Sequence, residues 1–205
     1  HGAAYLAQHK EEKERVNEFL KDFNLEYKGI CEVRHLAQVL YQDVTPNRLK
    51  REVKRDLSKV RVAAHYGCHP LKPHDIVQFD DPEEPTSLDE LISATGAQSI
   101  DYKDKLQCCG SPILAVDETL AATIAKSKLD NIKTSNADAI VTMCPFCELM
   151  FDGMQIVIED KFKVNYGIPA LLLPQLIGLA MNLGPMDLGL NTNKVRTDKL
   201  LERIS

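Results

Sequence analysis

The sequence predicts an α/β fold: a largely parallel sheet with flanking helices, preceded by a helical N-terminal segment. Two observations predict it. Short apolar and β-branched runs alternate with longer helical stretches, the pattern of strand–helix–strand units. Three of these runs also end on cysteines or lead into them, which puts a ligand site at the strand carboxyl ends, where open α/β sheets bind ligands.

The elements follow in order. Residues 4–24 read as a helix, with Leu6, Val16, Phe19, Leu20 and Phe23 as a partial apolar stripe. "EVRHLAQVLYQDV" reads as a second helix, with Val33, Leu36, Leu40 and Tyr41 on one side. Pro46 opens a third, "NRLKREVKRDLSKV", whose charges form a solvated face; a basic docking surface is the sharper alternative.

The character then changes. "VRVAAHYG" is a buried strand ending at Gly67 and Cys68. A helix follows from Thr86 or Ser87, with Glu90 placed for a capping box and Gly96 as its stop. "SIDY" is a second strand leading into "KDKLQCCG", and a helix spans 116–134. "DAIVTMC" is a third strand ending at Cys144, and "PFCELMFDGMQIVIEDKF" continues as a helix with Pro145 in its first turn. "IPALLL" is the last strand, before a helix over 174–183 and a tail that ends in one more helix. The expected organisation is a helical segment (1–58), a ligand-binding α/β domain (59–184) and a helical tail (185–205).

Composition narrows the function classes. A net charge of −5 gives no nucleic-acid footprint. No apolar run approaches the roughly 18–20 residues that cross a bilayer. With no signal peptide in view, the expectation is a cytoplasmic protein that meets a membrane only through partners.

The six cysteines are Cys31, Cys68, Cys108, Cys109, Cys144 and Cys147. In a chain without a secretion signal, clustered cysteines favour metal or redox chemistry over a disulfide framework. Cys144 and Cys147 form C-P-F-C at a strand-to-helix junction. Alone, that motif fits a redox pair as well as a metal pair. Cys68, Cys108 and Cys109 at equivalent strand ends favour the metal. Zinc takes four thiolates in a closed tetrahedron, so five are one too many and the adjacent pair is awkward for one ion. Adjacent thiolates suit a cluster, whose several metal atoms they can bind separately or bridge. The dense C-x₂-C-x₂-C run of ferredoxin-type cubanes is missing, which points to an unusual cluster.

The spacing C-x₃₉-C-C-G-x₃₃-C-x-x-C, from Cys68 to Cys147, resembles the cysteine-rich "CCG" domain of the heterodisulfide reductase B-subunit family. The segments "VAAHYGCHPLKP", "FDDPEEPTSLDEL", "DYKDKLQCCG", "DAIVTMCPFCELMFD", "PQLIGLAMNLG" and "LGLNTNKV" resemble that family in the same order. The resemblance implies a noncubane 4Fe-4S cluster on Cys68, Cys108, Cys109, Cys144 and Cys147. It implies reduction of a disulfide of coenzyme M and coenzyme B, as in methanogenesis, with electrons from a separate iron–sulfur subunit and a flavin-containing subunit. The family carries two CCG motifs and this sequence one, so it resembles the C-terminal portion of such a protein. The opening "HGAAYLAQHKEEKERVNEF" looks like the remnant of a preceding repeat. "CCGSP" also lacks the glycine-rich continuation often found after the doublet. Two rival readings are a zinc-binding structural or assembly module, and the CCG component of a succinate:quinone or thiol:fumarate reductase.

Other residues are weaker candidates. His69 beside Cys68 is placed to protonate a departing thiolate, and His65 is a lesser candidate. Lys72 and His74 read mainly as a solvated loop, with attraction of an anionic substrate as the alternative. Gly67 and Gly110 give the backbone room to approach a bulky cluster. Cys31 reads as a buried small hydrophobe, and Met143 and Phe146 as packing around the site.

Overall fold

The computed structural model describes residues 1–204. Helices α1 (Gly2–Gln8), α2 (Lys10–Lys21), α3 (Leu36–Val39) and α4 (Pro46–Arg51) precede the first strand, β1 (Arg61–His65). Then come α5 (His74–Val77), α6 (Ser87–Ala94), β2 (Gln98–Ile100), α7 (Glu118–Thr134), β3 (Ala139–Thr142) and α8 (Pro145–Phe151). The chain continues through α9 (Gly153–Phe162), β4 (Ala170–Leu172), α10 (Leu173–Ala180) and α11 (Asp198–Arg203).

The strands form one sheet in the order β2-β1-β3-β4, and every pairing is parallel. Parallel sheets need both faces covered, and here alternate residues divide between two cores. Val62, Ala64, Val141 and Leu171 face a layer that includes Leu88, Leu91 and Ile92 of α6 and Leu176 of α10. Ala63, Ile140 and Ala170 face the opposite layer, with Ala121, Ala122, Ala125, Leu129 and Ile132 of α7 and Met150, Phe151 and Ile158 of α8 and α9. The small residues of α7 let that helix close on the sheet. Cys109 and Cys147 lie in this second core.

Four predicted helices differ from the structure, each for a local reason. The helix expected over 4–24 breaks at His9 (φ −122°, ψ 87°), whose ring nitrogen bonds the Tyr5 carbonyl. None of its apolar stripe is buried: Leu6, Val16 and Leu20 are half-buried, and Phe19 (66%) and Phe23 (60%) are exposed. The second helix starts only at Leu36, because His35 caps it by accepting the Ala37 N–H, and it widens into a π turn over Leu40–Val44. Leu40 and Tyr41 pack on the core, whereas Val33 and Leu36 are exposed. The basic helix stops at Arg51, since Lys54 and Arg55 donate their backbone N–H groups to the Ala180 carbonyl. The long helix after C-P-F-C breaks at Asp152, whose carboxylate accepts the N–H groups of Lys194 and Val195 (2.7 and 2.8 Å). That break ties the tail to the site.

Helix α6 is capped by the cysteine loop instead of by its own Thr86 or Ser87. The Tyr66 hydroxyl accepts from the N–H groups of Leu88 (3.2 Å) and Asp89 (3.3 Å), and Asp80 accepts from Ser87. Thr86 does hydrogen-bond Glu90, through its hydroxyl (2.9 Å).

Candidate metal centre

Cys68 follows β1 by three residues, Cys144 follows β3 by two, and the Cys108–Cys109 doublet lies on the loop after β2. The sheet order makes β1 the neighbour of both β2 and β3, so the three loops emerge side by side. Cys144 is the N-cap of α8, its N–H bonded to Thr142 Oγ1 (3.3 Å), and Cys147 lies in the first turn.

The sulfurs form a gradient from interior to surface. Cys109 and Cys147 are buried, Cys144 is half-buried, and Cys68 and Cys108 are exposed. Gly67 and Gly110 have positive φ (74° and 89°), a conformation that glycine adopts without strain. A Cβ on Gly67 would lie 3.5 Å from both Cys144 Cβ and Cys147 Sγ, so the β1 loop runs directly along C-P-F-C.

Electrostatics couple the thiols. Cys109 is held below the ordinary thiol range, chiefly by the hydrogen bond it receives from Cys147, while the same bond and burial push Cys147 up. Cys68 is also raised, by burial first and then by the charges of Cys108, Cys109 and Cys144. Thiols this close resist losing all their protons together, and a bound cation removes that resistance.

His65 is the deepest member. It is 1% exposed at the end of β1, its ring edge-on to Phe151 at 4.8 Å. Its ring lies within 4.8 Å of the Cys109 and Cys147 sulfurs, yet neither nitrogen makes a hydrogen bond of adequate geometry. An unpaired buried polar group costs about 1–3 kcal/mol, and burial lowers the pKa of this imidazole, with the neighbouring Cys109 acting in the opposite direction. The donor set therefore fits a metal group: five soft thiols converge, and a buried imidazole beside two of them lacks a partner.

The remaining candidates fall elsewhere. His69 is exposed, edge-on to the His1 ring at 5.2 Å. Lys72 and His74 are exposed. Cys31 is exposed, not buried, because the 25–34 segment lies outside the core. Phe146, between the two C-P-F-C cysteines, is 68% exposed instead of packing around the site, whereas Met143 is buried.

Two supports escaped the sequence reading. Asp89 accepts from Tyr66 (2.6 Å), Ser99 (2.5 Å) and Lys105 (2.7 Å), so one carboxylate ties the Cys68 loop, β2 and the doublet loop together. Lys128 of α7 reaches the same doublet loop from below, with bonds to the carbonyls of Asp104, Lys105 and Gln107.

Residues 62–152 match the model of the cysteine-rich domain CCG, a range that contains all five clustered cysteines. The chain is 39% identical to the B subunit of the ferredoxin/F(420)H(2)-dependent CoB-CoM heterodisulfide reductase of Methanosarcina acetivorans, over 95% of this chain and 65% of that protein. It is 36% identical to the membrane anchor component of the 8-methylmenaquinol:fumarate reductase of Wolinella succinogenes, over 92% of this chain and 66% of that protein. The chain thus spans just under two thirds of the length of these relatives. A solved structure of a hypothetical protein from Helicobacter pylori has a similar fold, with a TM-score of 0.72 at 20% identity, over 95% of this chain and 35% of that one. The cysteine pattern, the parallel sheet that presents it and these similarities agree: the chain carries the cysteine-rich CCG domain, and over 95% of its length it is similar to the B subunit of a heterodisulfide reductase.

Proposed function

We propose that Cys68, Cys108, Cys109, Cys144 and Cys147 hold a noncubane 4Fe-4S cluster. In this reading the chain is part of a redox protein that reduces a disulfide of the CoM-S-S-CoB type, as in methanogenesis. The observation that carries the reading is the convergence of five thiols from three strand-end loops, two of them adjacent in sequence. Adjacent thiols suit a group with several metal atoms better than a single ion. Such a cluster, when bound, supplies electrons singly, and a disulfide needs two electrons and two protons to become two thiols.

The chain's own residues divide the remaining work. Cys109 and Cys147 form a buried floor, and His65 supplies that floor with a polar ring that has no other partner. Cys68 and Cys108 form the open rim, where a substrate approaches from solvent. His69, exposed beside Cys68, donates a ring N–H proton to a departing thiolate sulfur. Residues 59–184 are the cluster-binding unit, 1–58 a helical remnant of a preceding repeat, and 185–205 a tail. The partners are an iron–sulfur subunit and a flavin-containing subunit of the same complex, with a second CCG motif needed for the complete reaction. Among the described residues no helix is long and apolar enough to cross a membrane, and the proposed location is cytoplasmic, with any membrane association made through partners.

The Wolinella succinogenes relative, named as the membrane anchor of a fumarate reductase, favours a second reading: service in quinol:fumarate chemistry. One experiment separates the two. The anaerobically reduced protein, assembled with its partners, is mixed with the CoM-S-S-CoB disulfide or with a quinone. Reoxidation by the disulfide alone supports the first reading, and reoxidation by the quinone alone supports the second.

A further inference from the structure

Lys128 sits midway along α7 with no exposed surface, on the same face as Ala121, Ala125 and Ile132. Its ammonium donates to the carbonyl oxygens of Asp104 (2.8 Å), Lys105 (2.7 Å) and Gln107 (3.0 Å), which uses all three N–H bonds. It also lies 5.3 Å from the centroid of the buried Tyr102 ring. Among the described residues no carboxylate stands within ion-pairing distance of it. The Asp104 carboxylate bonds the Asn131 amide instead.

A buried ammonium without a counter-anion is expensive. The carbonyls satisfy its hydrogen bonds but carry only partial charge. Its protein surroundings include the negative charge of the cysteine cluster: burial lowers the ammonium to about 8, and Cys109, Cys147, Asp104 and Cys108 act in the opposite direction. The turn that it grips leads straight into Cys108. On the other side of the doublet, Gly110 rests against the Ala121 backbone of the same helix. Helix α7 therefore holds both ends of the doublet loop, and one of its two grips is a cation.

We propose that Lys128 is the resident counter-cation of the thiolate metal centre and a positioning residue for the doublet. Its charge offsets the negative charge of the metal-bound thiolates, while its N–H bonds fix the turn that delivers Cys108 and Cys109. The proposal rests on the metal-centre reading above. A fixed positive charge beneath an anionic centre favours the more reduced, more negative state, so its removal makes the centre harder to reduce.

The test uses the whole chain with Lys128→Met, Lys128→Gln and Lys128→Arg, each reconstituted anaerobically. Iron and sulfide per chain report loading, and a redox titration followed by electron paramagnetic resonance reports the midpoint potential. K128M is expected to load less and to titrate at a more negative potential, with K128R restored toward wild type. An unchanged potential in loaded K128M overturns the proposal. If K128M does not load, K128Q decides, because it keeps N–H donors without charge: a negative shift in its loaded fraction supports the proposal, and no shift overturns it. If the wild-type protein holds zinc without sulfide, the iron–sulfur reading fails by itself. Lys128 is then judged by zinc retention against a chelator, where K128M should bind about 10- to 100-fold more weakly, and equal retention overturns the proposal.

Discussion

Gly110 stands so close to Ala121 that a Cβ on Gly110 would lie 2.6 Å from the Ala121 carbonyl oxygen. The third residue of Cys-Cys-Gly is thus a packing surface for α7 as well as a turn, with φ at +89°. Any side chain there pushes the doublet off the helix that positions it.

The mutation Gly110→Ala therefore combines a left-handed backbone with a clash against main chain that cannot swing aside. We expect a loss of about 3 kcal/mol, toward the upper end of ordinary point mutations, in denaturant unfolding of the metal-free protein. Gly29→Ala is the control. Its φ is +77° but the nearest atom to a new Cβ is 3.7 Å away, so only the backbone term of about 1–2 kcal/mol applies.

Tyr66→Phe removes the acceptor for the Leu88 and Asp89 N–H groups and a 2.6 Å hydrogen bond to the Asp89 carboxylate. Left without that partner, the buried end of α6 should cost about 1–3 kcal/mol. The same change frees the loop that carries Cys68, so iron content after reconstitution should fall with the unfolding midpoint. A stable variant with full iron content would show that this tyrosine does not position the loop.

Cys109→Ser and Cys31→Ser should behave oppositely. Cys109 is buried between His65 and Cys147, whereas Cys31 is exposed and lies outside the cluster. C109S should lose the visible absorption of the centre, and C31S should keep it. A wild-type spectrum in C109S would argue for a four-ligand site without this residue.

His35 gives a pH dependence with a defined sign. Its Nδ1 caps α3 by accepting the Ala37 N–H (3.1 Å), a role open only to the unprotonated nitrogen. Burial lowers its pKa below the usual histidine value, against a hydrogen bond to the Met143 backbone. The unfolded chain then binds the proton more readily, so stability is present above the unfolded pKa of about 6.5 and falls as the pH drops below it. His35→Asn keeps a capping oxygen without the titration. The difference in unfolding free energy between wild type and H35N should shrink or reverse from pH 7.5 to pH 5.5, and a constant difference would exclude His35 as a source.

Much of the centre was legible because cysteines are chemically distinctive and strands have a short, apolar signature. The run from Val60 to Gly67 and the run from Asp138 to Cys144 predicted two neighbouring strand ends, and the sheet brings their loops together. The helix breaks were less legible because their causes are distant in sequence. Asp152 gives up helical geometry in exchange for two N–H groups more than forty residues away, and no local pattern announces that exchange. Tyr66 likewise reads as one more strand residue until α6 is seen resting on its hydroxyl. Lys128 did leave a signal: it is a lysine on the small-residue face of α7, three residues after Ala125 and seven after Ala121. His65 left a weaker one, as the polar last residue of a buried strand.

Iron, zinc and acid-labile sulfide, measured per chain on anaerobically purified protein, test the five-cysteine centre most directly. A noncubane 4Fe-4S cluster on Cys68, Cys108, Cys109, Cys144 and Cys147 predicts iron and sulfide in equal amounts, about four of each in fully loaded protein, with little zinc. One zinc per chain without sulfide would contradict it.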